Sequence, residues 1–353
     1  MENKKIIEYA KKTFLAQQNP YNTIEKVYPL AINKLQEETF IGYVGIKNNN
    51  SIGSGVMEKL NKKGYFLHTL DKMSLGGRAI DVNLKNPLTG RCMTGSSSGT
   101  SLNVFYGIND LGVGSDGGGS VLNPALSLNL FGIISKSFER EYTAKFSKKS
   151  TDGIEFSPSI GFIARDLSTI KKASECYFDI NLNLNETIRV GVPRKKLIFS
   201  NIDVSKEIDD MLEKSDARIE KIYLDYPDLL GDRRELISFM KSALENCDVL
   251  VSPEGSIDCY GFGDTVFGGY DDVTAEIQRS GNKALSKVAN MVGATALIMP
   301  QQRLAFGYLL STADGNDNSK LFKLAECFNK KRNSLTESYF LNLDNYFAKG
   351  YNE

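Results

Sequence analysis

A helical pattern followed directly by an apolar strand recurs along this chain and constrains its fold more than any other feature. DRRELISFMKSALEN (232–246) precedes CDVLVS, and NKALSKVANMVG (282–293) precedes ATALIMP. Amphipathic helices that alternate with apolar strands are typical of α/β proteins, in which helices cover a sheet. The pattern therefore predicts an α/β fold.

The remaining segments extend this prediction to the whole chain. The other predicted elements are, in chain order, helices at 4–16 and 23–38, a strand at 40–46, a helix at 165–180, a strand at 188–193, a peripheral helical excursion at 200–225 and a helix at 319–335. The first two helices form a short N-terminal helical segment, residues 1–39. No shift of composition marks a boundary, so we expect a single domain over residues 1–353.

Composition excludes several classes of protein. The 353 residues include 41% hydrophobic residues, with 43 basic and 43 acidic side chains. A neutral chain with only short basic clusters is not typical of nucleic-acid binding. No apolar run approaches the ~18 residues that span a bilayer, and the N-terminus does not resemble a secretory signal. Five scattered cysteines without a CxxC pair indicate reduced thiols, so we expect a cytoplasmic protein.

The single histidine limits the catalytic chemistry. His68 lies in GYFLHTL, an apolar segment that predicts a buried strand. A core position is the simpler interpretation of this residue than a catalytic one. If the protein performs nucleophilic catalysis, we therefore expect a base other than histidine.

Two clusters of small residues lie inside the most apolar third of the chain. They are TGSSSGTS (94–101) and GSDGGGS (114–120). Glycines let backbone N–H groups converge into a concave nest that binds anionic oxygen, either of a phosphate or of an oxyanion beside a nucleophile. The GK[ST] ending of a Walker phosphate loop is absent, and Ser120 closes the second cluster. The pattern favours an oxyanion hole beside a serine nucleophile.

The two clusters resemble the motif of the amidase signature family, GGSSGGS followed by G[ST]DxGGS[IV]xxPA. NPLTGRCMTGSSSG aligns without a gap to the family's NPW…GGSSGG, and this alignment makes Ser97 the first serine of the pair. The resemblance covers most of the chain and includes IRVGVPRK (188–195) and ANMVGATALIMP (289–300). It implies one α/β/α sandwich with a large mixed central sheet flanked by helices.

The resemblance also implies a Ser-cisSer-Lys triad. YVGIK, which ends at Lys47, resembles the family's PVGIK segment, whereas Lys72 lies beyond the lysine-bearing strand. Ser120 is then the nucleophile, Ser97 the bridging serine with a cis peptide bond, and Lys47 the base, which must be neutral. The predicted oxyanion hole is formed by the N–H groups of residues 117–120, with Gly117, Gly118 and Gly119 as its glycines, and the predicted supporting residues are Asp116, Ser98 and Gly95.

The implied activity is hydrolysis of a carbon–nitrogen bond in a linear amide through an acyl-serine intermediate, without a metal or cofactor. The alternatives are an acyltransferase that uses the same intermediate and a non-catalytic, amidase-like binding partner. Lys283 stands where glutamine-using relatives carry an acid, which argues against a glutaminase.

We expect a small-molecule or peptide-borne amide as the substrate, and no binding of nucleic acid or membrane. A homodimer is left open. Three divergent segments are expected to form the pocket (122–130, 254–290 and 300–312); residues 262–272 could equally form a surface loop.

Overall fold

A mixed sheet of eleven strands runs through the molecule, and helices flank it. The computed structural model describes residues 2–150, 153–330, 333–340 and 346–347. The strands described are, in chain order, β1 (Ile24–Val27), β2 (Gly42–Lys47), β3 (Tyr65–Asp71), β4 (Ile80–Lys85), β5 (Cys92–Thr94), β6 (Leu111–Asp116), β7 (Phe131–Ser135), β8 (Lys148–Lys149), β9 (Glu155–Phe156), β10 (Ser159–Ala164), β11 (Ile188–Pro193), β12 (Ile198–Phe199), β13 (Ile202–Asp203), β14 (Ile219–Leu224), β15 (Val249–Glu254), β16 (Thr295–Pro300) and β17 (Gly307–Thr312).

The central sheet has the order β1-β3-β2-β6-β10-β7-β16-β17-β15-β11-β14. Its parallel pairs are β2 with β3, β2 with β6, β11 with β14 and β11 with β15, and the other neighbours are antiparallel. Short two-stranded ribbons are formed by β4 with β5, β8 with β9 and β12 with β13. The large mixed sheet agrees with the predicted fold class.

Helices connect and cover the strands. The α-helices described are α1 (Glu2–Gln18), α2 (Ser54–Lys62), α3 (Ser98–Phe105), α4 (Leu122–Ser127), α5 (Arg140–Thr143), α6 (Leu167–Ser174), α7 (Val204–Leu212), α8 (Arg233–Asn246), α9 (Asp272–Arg279), α10 (Ala289–Val292), α11 (Asn318–Phe328) and α12 (Ser334–Tyr339). Single 3₁₀ turns or short 3₁₀ helices are present at Pro29–Gln36, Leu75–Gly77, Ala144–Phe146, Phe267–Gly269 and Leu285–Lys287. None of the helices in the described ranges is long and apolar enough to span a membrane.

Two adjacent parallel strands, β2 and β6, place the predicted site. Val44, Gly45 and Ile46 of β2 pair with residues 111–113 of β6. The carboxyl ends of adjacent parallel strands lie at the same edge of a sheet. Lys47 ends β2 and Asp116 ends β6, so the sheet brings the lysine and the second glycine-rich segment together.

The N-terminal segment differs from the prediction. The predicted helix over 23–38 is wrong, since Ile24–Val27 forms strand β1 at the sheet edge and Pro29–Gln36 forms a 3₁₀ helix. Asn22 has a positive φ of 54°, and Pro29 supplies no backbone N–H, so a continuous α-helix cannot pass through either end of β1. Pairing of β1 with β3 provides the backbone hydrogen bonds instead.

Three other boundaries also differ. The helix predicted over 165–180 ends at Ser174, and the helix predicted over 319–335 ends at Phe328. The predicted excursion over 200–225 contains helix α7, but it also contains β14, which forms the far edge of the sheet. This strand, IEKIYL, carries two charged residues and none of its residues is fully buried, as is common for edge strands.

His68 lies in the core, as the sequence suggests. Its ring stacks on Tyr43 with 4.2 Å between the ring centroids, and Nδ1 lies 2.9 Å from Asn109 Oδ1. Burial lowers the pKa of His68 to about 4, with hydrogen bonding to Asn109 opposing the change. The imidazole is therefore neutral and structural at physiological pH.

Candidate active site

Lys47 is a buried amine at the end of β2. Its side chain is only 2% exposed, and Nζ donates to Ser96 Oγ at 2.8 Å and to the Ser115 carbonyl at 3.0 Å. Burial lowers the pKa of Lys47 to about 7; the charge of Asp116 opposes this and that of Lys148 adds to it. A substantial fraction of the amine is therefore neutral at physiological pH, as a general base requires.

Ser96, and not Ser97, contacts this lysine. The cis peptide bond is Gly95–Ser96, one residue before the predicted position. The Ser97 side chain is buried toward β6, where a Cβ on Gly114 would come within 2.7 Å of its Oγ. Among the described residues the Ser97 hydroxyl has no hydrogen-bond partner. The prediction that Ser97 bridges Ser120 and Lys47 is therefore wrong, and Ser96 occupies that place beside the lysine.

The error arises from the run of three serines. TGSSSG matches GGSSGG equally well in two registers, which place the first serine of the pair at Ser96 or at Ser97. Only the register that begins the pair at Ser96 places its first serine directly after a glycine, Gly95, where there is no room for a side chain. A Cβ on Gly95 would lie 2.2 Å from the Arg78 carbonyl oxygen, so glycine is required there. The glycine that directly precedes Ser96 was the available signal.

Asp116 organises the segment that carries Ser120. Its buried carboxylate accepts hydrogen bonds from the N–H groups of Gly119 at 2.7 Å and Val121 at 2.6 Å, with a longer bond from Leu122 at 3.4 Å. Burial raises the pKa of Asp116, and these three N–H donors oppose the change. The carboxylate thus fixes the turn, and both of its oxygens are occupied by backbone N–H donors.

Gly119 has a conformational role that differs from its predicted one. Its φ is +93°, and a Cβ would lie 2.1 Å from Asn123 Nδ2, so only glycine fits. Because its N–H is bonded to Asp116, it cannot also point at an oxyanion. Within the described ranges, the N–H groups of Gly117, Gly118 and Ser120 donate to no protein acceptor. Those three amides are the available oxyanion donors.

Backbone contacts hold the two small-residue segments against each other. The Ser97 N–H donates to the Ser120 carbonyl at 3.1 Å, and the Ser74 N–H donates to the Ser96 carbonyl at 3.1 Å. Ser98 begins helix α3 and its Oγ donates to Asp81 Oδ2 at 2.5 Å. Ser98 and Gly95 therefore lie in supporting positions and contribute no reactive group to the cavity.

Lys47, Ser96 and Ser120 open onto one cavity of about 510 Å³. The cavity also contacts Gly117 and Gly118 of the nest. Lys72 does not line it; its amine is hydrogen-bonded to Asn22 Oδ1 instead. The cavity thus brings together a buried amine whose pKa is lowered, the Ser96 hydroxyl bonded to that amine, the Ser120 hydroxyl and backbone N–H donors, which are the kinds of group that acyl transfer needs.

The walls of the cavity come partly from segments that sequence reasoning missed. Residues 264–266, inside the segment 262–272, do line it. The predicted pocket segments 122–130 and 300–312 do not line it. Further lining residues lie within 49–51, 73–79, 146–150 and 156–158 and include Arg233 and Met291. These segments are far from Ser120 in sequence or have ordinary loop composition, so only the tertiary structure identifies them. The described residues contain no group of three metal-ligating side chains.

The fold is shared with solved structures of enzymes. The chain is similar to an amidase family protein from Bacillus anthracis (13% identity, TM-score 0.57, covering 92% of this chain and 88% of that one). It is also similar to allophanate hydrolase from Kluyveromyces lactis (15% identity, TM-score 0.63, 93% and 70%). A third similar structure is a component of the glutamyl-tRNA(Gln) amidotransferase from Thermotoga maritima (15% identity, TM-score 0.61, 92% and 92%).

These structural neighbours belong to the amidase signature family, and the predicted amidase-signature α/β fold is confirmed. Comparison of the sequence with protein-family models and with curated proteins gives no match. At identities of 13–15%, the likeness establishes the fold alone. The chemistry must therefore be argued from the site.

Proposed function

We propose that this protein is an amide hydrolase that forms an acyl-enzyme on Ser120, with Ser96 and Lys47 as its proton-transfer pair. The observation that carries the proposal is the 2.8 Å hydrogen bond between Ser96 Oγ and the Nζ of a lysine that is 2% exposed. A buried lysine with no ion-pair partner in the described residues is rare unless it has a chemical role. This one opens onto the cavity that Ser120 lines.

In the first half of the reaction, Ser120 Oγ attacks the amide carbonyl carbon. Its proton passes to Ser96 Oγ while the Ser96 proton passes to neutral Lys47. The carbon–nitrogen bond then breaks, and the leaving nitrogen takes a proton back along the same path, so that ammonia or an amine departs. In the second half, water attacks the ester carbon and its proton passes through Ser96 to Lys47. The bond between the acyl carbon and Ser120 Oγ then breaks, the proton returns to Ser120 Oγ, and the acid product leaves.

The charge that develops on the carbonyl oxygen is stabilised by the N–H groups of Gly117, Gly118 and Ser120. The turn that carries these amides is held by hydrogen bonds from the N–H groups of Gly119 and Val121 to Asp116 before the substrate binds, so no reorganisation is needed. Removal of one such donor typically costs about 3 kcal/mol of transition-state stabilisation. The rate therefore depends on the turn as much as on the nucleophile.

A fluorophosphonate tests the proposal without knowledge of the substrate. The wild-type protein is expected to gain one adduct in its intact mass, and Ser120→Ala is expected to gain none. Lys47→Ala should slow labelling by about 10²-fold or more, because proton transfer contributes 10²–10⁴-fold. Lys72→Ala, a lysine outside the cavity, serves as the matched control and should label at the wild-type rate.

Two outcomes would overturn the proposal. One is a folded wild-type protein that is never labelled, and the other is an adduct that survives Ser120→Ala. In a separate experiment with an amide that the protein turns over, added hydroxylamine distinguishes the fate of the acyl-enzyme: release by water alone supports hydrolysis, whereas efficient capture by amines supports acyl transfer.

A further inference from the structure

A second cavity of about 450 Å³ adjoins the one that Ser120 lines. The two cavities share Ala79, Gly118, Arg233 and Thr265 in their walls, so they adjoin along these residues. Gly118 belongs to the proposed oxyanion hole, and a Cβ on it would lie 3.4 Å from the Lys287 carbonyl oxygen. A substrate held at Ser120 can therefore extend into the second cavity.

The walls of the two cavities are strongly basic, although the chain as a whole carries no net charge. Their basic side chains are Lys47, Arg78, Lys148, Arg233, Arg279, Lys283 and Lys287, and their acidic side chains are Asp232 and Asp264. An excess of one sign of charge in a concave site raises the local concentration of ligands with the opposite sign. In these walls basic side chains therefore outnumber acidic ones by seven to two.

Several of these charges are already compensated by carboxylates. These ion pairs include Arg78 with Asp264 at 3.0 Å, Lys283 with Asp258 at 2.9 Å and Arg279 with Asp228 at 2.6 Å. Asp232 caps helix α8, where its carboxylate accepts from the N–H groups of Arg234 at 2.8 Å and Glu235 at 3.3 Å. In the described part of the chain, no carboxylate lies within 4.0 Å of the amines of Lys148 and Lys287.

Lys287 is the more informative of these two lysines because it is half-buried. Its Nζ donates to the Gly231 carbonyl at 3.2 Å. Burial lowers the pKa of Lys287 to about 8, with the charge of Glu254 as the main opposing influence. The amine is therefore still protonated at neutral pH and retains two further N–H donors in a partly desolvated cavity.

We propose that the second cavity binds an anionic group of the substrate, a carboxylate or a phosphate, through Arg233 and Lys287. That the bound molecule is a substrate rests on the proposed amide hydrolysis, whereas the binding of an anion in this cavity does not. Arg233 lines both cavities, so it borders the cavity of the reacting centre as well as the cavity that Lys287 lines. Guanidinium and ammonium groups form short, charge-assisted hydrogen bonds to anionic oxygens, and in a partly buried site these bonds are stronger than at the surface. The substrate class is accordingly an amide that carries an anionic group on the same molecule.

The test uses binding to the full-length Ser120→Ala protein, which cannot turn the amide over. The probes are ω-amide monocarboxylates from malonamate to adipamate, 3-phosphonopropanamide as the phosphate-like arm, and levulinamide as the neutral counterpart of succinamate. Isothermal titration is expected to show at least one anionic amide bound about 10-fold or more tightly than levulinamide. A preference between the carboxylate and phosphonate arms identifies the anionic group.

Matched variants in the same background locate the site. Arg233→Gln and Lys287→Gln should each weaken the best anionic probe by about 10-fold, while Lys287→Arg should keep most of its affinity. Arg234→Gln removes the same charge from the adjacent residue, which is exposed and lines neither cavity, and should change affinity by less than about 2-fold.

Equal affinity for anionic and neutral amides at every chain length would overturn the anion proposal. Equal losses of affinity in Arg234→Gln and Arg233→Gln would also overturn it, since the attraction would then come from the general positive charge of this surface and not from a defined site. Fluorophosphonate labelling of the Ser120-containing protein is scored separately. Anion binding without labelling would contradict the proposed amide hydrolase and would still support the anion site. Labelling without a preference for anionic amides would support the hydrolase and contradict the anion site.

Discussion

Two adjacent serines, Ser96 and Ser97, have opposite surroundings. The Ser96 hydroxyl is bonded to Lys47 and faces the cavity, whereas the Ser97 hydroxyl is buried against β6 without a partner in the described residues. The backbone determines this difference, because consecutive side chains at the entry to α3 point in different directions. The chemical role of a serine in this segment is therefore set by its position to within one residue.

Exchange of each serine for alanine tests this assignment. Ser96→Ala is expected to slow fluorophosphonate labelling of Ser120 by about 10²-fold or more, because proton transfer to Lys47 is lost. Ser97→Ala removes a buried hydroxyl that has no described partner, so labelling should stay within a few-fold of wild type and stability should be unchanged or higher. Labelling rates that fall for Ser97→Ala and not for Ser96→Ala would restore the register that the sequence alignment favoured.

The pH dependence of the labelling rate is expected to follow the protonation state of Lys47. The neutral amine is the base, and the pKa of Lys47 is about 7, so the labelling rate should rise with pH and level off above this value. Because the charge of Lys148 contributes to the low pKa, Lys148→Gln should move the midpoint to higher pH. Lys149→Gln is the control, since Lys149 is exposed and paired with Glu155 at 3.3 Å. A rate that falls with rising pH would exclude a neutral lysine as the base.

At the scale of elements, the segment 283–287 supports the nucleophile turn from behind. Glu254, at the end of β15, is fully buried and accepts hydrogen bonds from the N–H groups of Ala284 at 2.9 Å and Ser286 at 2.8 Å. Ser286 Oγ lies 2.8 Å from both Glu254 Oε2 and Asn123 Oδ1, and Asn123 adjoins Gly119. The strand end, the 3₁₀ turn and the nucleophile turn are thus one hydrogen-bonded unit.

Glu254→Gln is expected to weaken that unit. Burial raises the pKa of Glu254 to about 7, and the hydrogen bonds from Ala284 and Ser286 oppose the change. Both carboxylate oxygens accept N–H bonds, so a Gln NH₂ group would face a donor and leave it unsatisfied, at a cost of about 1–3 kcal/mol. Urea denaturation measures the loss of stability, and labelling of Ser120 should slow in parallel. Glu245→Gln, exposed on α8, is the control, and equal stability of the two variants would contradict this role.

At the scale of the whole molecule, one partly buried carboxylate joins helix α1 to the central sheet. Asp110 accepts from Lys12 Nζ at 2.5 Å, from the Tyr9 hydroxyl at 3.0 Å and from the Tyr43 N–H at 2.8 Å. Lys12 and Tyr9 belong to α1, and Tyr43 belongs to β2, the strand that ends at Lys47. The N-terminal helix is thereby connected to the strand that carries the proposed base.

Asp110→Ala should therefore lower the free energy of unfolding of the whole molecule, which should still unfold in one cooperative transition. It leaves the amine of Lys12, which is 5% exposed, without its closer carboxylate, and the expected cost is about 1–3 kcal/mol or more. Glu8→Ala removes the exposed partner of Lys12 at 3.2 Å and should cost less than about 1 kcal/mol. Urea unfolding followed by circular dichroism and by tyrosine fluorescence should give one shared transition. Two separate transitions, or equal effects of both substitutions, would show that α1 is not part of the cooperative unit.

The sequence by itself determined the features that depend on neighbouring residues. Apolar strands such as IRVGVP and the capped helix 233–246 were recognised because their periodicity is local, and the glycine-rich turn was recognised because a positive φ and close approach exclude other side chains. Lys47 and Ser120 were located by motif in the same way. The fold class followed from the order of these elements.

Only the tertiary structure decided the features that depend on residues distant in sequence. The choice between Ser96 and Ser97 required the lysine 49 positions away, and the role of Gly119 required knowledge that Asp116 takes its N–H. The edge strand β1 replaced a predicted helix because β3 supplied its hydrogen bonds. The basic second cavity is assembled from side chains of separate segments, and their charges cancel in any count along the chain. Coulombic fields and hydrogen bonds depend on distance in space, which a one-dimensional pattern does not contain.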